Sequence, residues 1–143
     1  MIIYEAKQSY RQVGIIENGP LNSPKRVVEY MSGAFEVAPL QEQVWVIMLN
    51  TKNLPIAREQ CSVGTSSACM LNPTVVFRPA ILANATAIII CHNHPSGNPT
   101  PSTADLNVTK DIVRAGKTLN ISVHDHVIIA DGGHYSFQER GLI

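Results

Sequence analysis

The stretch from Cys91 to Asp105, CHNHPSGNPTPSTAD, holds the residue types that do chemistry in this chain. His92 and His94 stand two apart at the end of an apolar run, so on a strand both imidazoles leave from the same face and converge. A loop with Gly97 and three prolines follows, then Ser102 and Asp105, spaced as a helix cap and its third position. Helical side chains lean toward the N-terminus, which turns Asp105 back toward the strand end. Two imidazoles and one carboxylate make a catalytic zinc set, His92, His94 and Asp105, with a fourth position left for water.

Each residue also has an ordinary explanation. Ser102 and Asp105 suit a capping box, and histidines often close strands. Singly those explanations win; together they do not account for two same-face histidines followed so soon by a helix-start carboxylate. Cys91 points to the opposite face from His92 and is not counted as a ligand.

These residues need a strand before them and a helix after them. Ala85 to Cys91 (ATAIIIC) reads as a strand buried on both faces, and Ser102 opens a helix to about Lys117, with Val108, Ile112, Ala115 and Leu119 on one stripe. Upstream, Ser23-Pro24 starts a helix over about 24–35 through Val27, Val28, Met31 and Phe35. Val44–Leu49 (VWVIML) is a second buried strand, and 54–63 returns beside it with Pro55 at a strand start or edge. Asn72-Pro73 begins a helix facing inward through Val75, Val76, Ala80 and Ala83, with Pro79 as a kink. Strands are expected at 121–129 and 135–137, with weaker β-type pieces at 2–4 and 10–16. In the strand at 121–129, alternation puts His124 and His126 on one face and Asp125 on the other with Val123 and Val127. Helices alternating with buried strands predict an α/β sandwich around a mixed sheet.

The chain has 143 residues, enough for one core. Lys plus Arg and Asp plus Glu both number 11, for a net charge of zero, which disfavours a general grip on nucleic acid or anionic membrane. The N-terminus lacks the pattern of a signal peptide, and no apolar run is long enough for a membrane span. Cys61, Cys69 and Cys91 lack CxxC spacing and suit reduced thiols, so a cytoplasmic location is expected.

His-x-His, seven residues, then Ser-x-x-Asp resembles the JAMM motif of MPN-type metalloproteases. The string HNHPSGNPTPSTAD is similar to the RadC-like JAB branch in particular. The resemblance extends through EQVWVIMLNTKN, SVGTSS, NPTVVFRPAILANA, DHVII and HYSFQERG, and is weak over residues 1–20. It implies a three-layer α-β-α fold of the cytidine-deaminase-like kind, with residues 1–143 as one MPN domain and 1–20 as a loosely matched extension. RadC-like proteins often carry an additional N-terminal helical domain, for which this chain has no room. The H-x-E and P-C-x-x-C motifs of the deaminases themselves are not in the sequence.

The same resemblance implies Zn2+ on His92, His94 and Asp105, and hydrolysis of a peptide or isopeptide bond in a peptide or protein substrate. It matches the family's upstream glutamate to Glu42, as acid and base; spacing alone leaves Glu5, Glu36 and Glu59 open. Ser102 would bond the water or the developing oxyanion. Asp125-His126 matches a family Asp-His pair, either supporting the site or forming an ordinary buried pair. The alternative function is a DNA-repair-associated accessory protein that binds nucleic acid. Nothing in the sequence selects a substrate or an oligomeric state.

Overall fold

The computed structural model describes residues 1–14, 19–64 and 71–143. Along them run α1 (Pro24–Tyr30), β1 (Glu42–Leu49), β2 (Pro55–Gly64), α2 (Pro73–Leu82), β3 (Ala87–Asn93), α3 (Thr103–Leu119), β4 (Ser122–Ala130) and β5 (Gly133–Ser136). Residues 1–14 carry no regular structure, so the β pieces expected at 2–4 and from 10 do not form, while 15–16 lie outside the described residues. Cys69 also lies outside them, and Cys61 and Cys91 are free thiols.

One open sheet carries the fold, in the order β2-β1-β3-β4-β5. Among the described strands only β3 and β4 run parallel, and α3 is the crossover that a parallel pair requires. On one face Val44, Val46, Met48, Ile88 and Ile90 pack with Val76, Phe77 and Ala80 of α2 and Ile112 of α3. On the other, Ile47, Leu49, Ala87, Ile89 and Cys91 pack with Val27 and with Met31 just past α1. The result is a three-layer α-β-α sandwich, and both faces of β1 and β3 are buried, which explains their continuous apolar runs.

Three local expectations change. The first helix stops at Tyr30 rather than 35, and turns occupy 31–37, with Gly33 in the left-handed region at φ +78°. The inward face of α2 is Val76, Phe77, Pro79 and Ala80; Ala83, just past the helix, packs against the same core as expected, while Val75 is only half-buried. In α3 Ile112 is buried as expected, but Leu119 is 43% exposed.

A bulge in β4 matters more. Ile88 pairs with Val123 but Ile89 with Asp125, so His124 is the extra residue and the alternation reverses there. Val123 therefore shares the α2/α3 face with His126, and Asp125 turns to the α1 face with Val127. The simple alternation, which grouped Val123 with Asp125, is corrected by that one inserted residue.

The end of α3 is seated on β4 through Gly116. A Cβ there would lie 2.6 Å from the Ile121 carbonyl oxygen and 3.1 Å from Phe77. Gly116→Ala should destabilise the fold by about 1–2 kcal/mol, because backbone cannot yield as a side chain tip does and the clash outweighs the gain in helix propensity. Urea denaturation checks this; unchanged or raised stability would contradict it.

Candidate metal centre

The site forms where β3 ends. His92 is 2% exposed, and His94 follows one residue beyond the strand, half-buried. Their Nε2 atoms come within 2.9 Å of each other. Cys91 points the other way, into the α1-side core, as strand alternation requires.

Glu42 reaches this point through the sheet register. Val44 lies opposite His92 in the antiparallel ladder, so two residues back Glu42 falls beside His94 on the same face. Its Oε1 is 3.5 Å from His94 Nε2. Asn93, between the two histidines, points to the other face and grips the backbone on both sides of Glu42. Its Oδ1 accepts from Gln43 N–H at 2.7 Å and its Nδ2 donates to the Gln41 carbonyl at 3.1 Å. Glu5, Glu36 and Glu59 are all exposed, and none of them joins the histidines in the cluster described below.

Asp105 arrives from the first turn of α3. Its Oδ1 lies 3.6 Å from His92 Nε2 and its Oδ2 3.7 Å from His94 Nε2. Ser102 and Asp105 form the capping box: Ser102 N–H and O–H both donate to Oδ2 at 2.7 Å, and Ser102 Oγ accepts from Asp105 N–H at 3.1 Å. One carboxylate oxygen is thus tied to the cap while Oδ1 faces His92. Burial raises the Asp105 carboxyl, but the bonds with His94 and Ser102 outweigh it and hold the group well below the usual carboxylate range.

The loop between strand and helix is braced from outside. Gly97, at φ +83°, closes a turn on the His94 carbonyl and passes its own carbonyl to Gly132 N–H at 3.0 Å. A Cβ on Gly132 would meet that oxygen at 2.6 Å, so the β4–β5 turn needs glycine to approach the loop. The loop then presents the Asn98 carbonyl to His94, whose Nδ1–H donates to it at 2.8 Å. That bond turns the Nε2 of His94 inward.

Burial lowers the His92 imidazole to about 4, whereas the bond to Asp105 leads in raising His94. The two Nε2 atoms at 2.9 Å are at hydrogen-bond distance, and with a lone pair on each the contact needs a proton or a cation between them. Ligand atoms of Glu42, His92 and His94 all lie within 4.8 Å of one another, a grouping suited to a metal ion. Zinc bonds of about 2.0–2.1 Å at a tetrahedral angle would set two nitrogens about 3.3 Å apart, so the residues fit after a widening of about 0.4 Å.

Asp125 and His126 part company. His126, 0% exposed, has its Nε2 2.7 Å from His92 Nδ1 and its Nδ1 2.7 Å from Thr109 Oγ1. Asp125 lies on the opposite face and anchors the C-terminal turn: it accepts from His126 N–H, Gln138 N–H and Ser136 O–H at 2.7, 3.0 and 2.6 Å. Thr109, Asn93, Asn98 and Gly132 were not singled out in the sequence; the only signal for Thr109 is its place one helical turn after Asp105.

The RadC-like JAB domain model matches residues 21–142. The chain belongs to the RadC-like JAB family. A UPF0758 protein of Symbiobacterium thermophilum is 43% identical over 123 residues, 86% of this chain and 52% of its own length. One from Caldanaerobacter subterraneus subsp. tengcongensis is 44% identical over 125 residues, 87% and 53% respectively. One from Clostridium beijerinckii is 37% identical over 145 positions, covering 100% of this chain and 62% of the relative. This RadC-like JAB chain thus spans about half the length of the first two relatives. Among its described residues no helix is long and apolar enough to cross a membrane.

Asp125→Ala would strand two backbone donors and a hydroxyl. The loss should be on the order of 2–4 kcal/mol in folding stability, read by urea denaturation. A change under about 0.5 kcal/mol, the range of ordinary surface substitutions, would contradict this anchoring role.

Proposed function

We propose that this chain is a zinc-dependent metallopeptidase or isopeptidase, with His92, His94 and Asp105 as metal ligands and Glu42 as the acid and base. The carrying observation is the convergence of two imidazole nitrogens at 2.9 Å with carboxylates on either side. Two carboxylates compete for the third ligand position, and their surroundings divide the roles. Asp105 is 6% exposed and pinned by the capping box, as a ligand should be, while Glu42 is 22% exposed at a strand start where water and substrate can reach it.

Zinc, when bound, acts as a Lewis acid that brings the pKa of water from about 15.7 toward about 7 and polarises a carbonyl. Glu42 takes a proton from the attacking water as its oxygen adds to the carbonyl carbon. When the C–N bond breaks, Glu42 returns that proton to the leaving nitrogen. His94 is held for this work by the Asn98 carbonyl. Ser102 orients Asp105 in the described conformation; donation to an oxyanion requires its hydroxyl to turn away from Oδ2. The partner is a peptide or protein. A DNA-associated role draws no support from a chain of zero net charge.

The purified chain should hold one equivalent of zinc and cleave members of a panel of peptide and isopeptide substrates. Glu42→Gln should keep the zinc and slow cleavage by about 10²–10⁴-fold, while His92→Ala and Asp105→Ala should lose the metal. Zinc content equal in wild type and His92→Ala would overturn the proposal. So would salt-sensitive DNA binding by a zinc-loaded chain that cleaves nothing in the panel.

A further inference from the structure

Thr109 lies in the middle of α3, is 1% exposed, and has a single hydroxyl proton. Its Oγ1 is 2.6 Å from the Asp105 carbonyl oxygen, one turn earlier. A carbonyl can only accept, so the threonine proton goes there. The lone pairs of Oγ1 then face His126 Nδ1, 2.7 Å away, and that nitrogen must carry a hydrogen.

The ring of His126 is fully enclosed. Phe137 stacks on it with centroids 4.6 Å apart and planes 12° from parallel, and the hydrogen-bond partners of its nitrogens are Thr109 and His92. A doubly protonated ring there would be a buried cation with no carboxylate bonded to it. With its hydrogen on Nδ1, the neutral ring offers a lone pair from Nε2, and His92 Nδ1–H, 2.7 Å away, donates to it. The Nε2 of His92 is left with its lone pair directed at His94 and Asp105.

We infer that Thr109 and His126 are positioning residues that fix the tautomer and ring orientation of His92, through a one-way hydrogen-bond relay ending on the backbone carbonyl of Asp105. The relay rests on the metal reading for its purpose, but not for its geometry. It begins and ends on the two ligands it serves, so a shift of the first turn of α3 would move Asp105 and the orientation of His92 together. Histidine ligands are commonly oriented by a carboxylate, a carbonyl or a water; here a second histidine and a threonine pass that task to a carbonyl through the core.

The direct test is nitrogen NMR of the metal-free wild-type chain labelled with 15N-histidine, at about pH 8, where unperturbed imidazoles are neutral. His126 and His92 should both carry hydrogen on Nδ1, and hydrogen on Nε2 of His126 would overturn the inference. In parallel, Zn2+ affinity is measured by chelator competition. Thr109→Val should weaken it about 10–100-fold and Thr109→Ser should restore it. Wild-type affinity in Thr109→Val would also overturn the inference. If the wild type shows the expected tautomers yet holds no zinc, the relay stands and the metallopeptidase reading fails.

Discussion

Two imidazole nitrogens pressed to within 2.9 Å at the end of a buried strand set the terms for everything around them. A contact that short needs a proton or a metal ion between the nitrogens. The fold answers with carboxylates from two different elements, Glu42 from the neighbouring strand and Asp105 from the crossover helix. A proton between the nitrogens is one answer; under the proposed reading a divalent cation on His92, His94 and Asp105 is the other, with Glu42 left beside it for proton transfer.

The surrounding architecture holds those four groups without touching the point where they meet. Asn93 acts as a side-chain extension of the ladder and locks the backbone around Glu42. Ser102 caps α3 and occupies the outer oxygen of Asp105, so a stability device of the helix also aims a carboxylate. Gly132 lets the β4–β5 turn brace the loop that supplies the Asn98 carbonyl to His94. Rigid strands and a capped helix carry the four side chains, with a glycine-braced loop between them.

What could be read in the sequence was local. The two-residue spacing of His92 and His94, the cap spacing of Ser102 and Asp105, and the apolar runs of β1 and β3 each express a short-range period, and the structure contains all of them. Glu42 could be separated from Glu5, Glu36 and Glu59 only by resemblance, because its partner is set by register across a strand pair fifty residues apart in the chain. The bulge at His124 was invisible for a different reason: one inserted residue leaves composition unchanged but reverses which face Val123 takes. Thr109 looked like an ordinary helix residue, since its importance comes from a histidine on another element.

X-ray absorption at the zinc edge on the reconstituted full chain tests the central claim most directly. Two nitrogen scatterers of imidazole type should appear with oxygen at about 2.0–2.1 Å and no sulfur, and this bound-zinc signal should be lost in His94→Ala. A spectrum with sulfur at about 2.3 Å, or one unchanged by His94→Ala, would contradict the account.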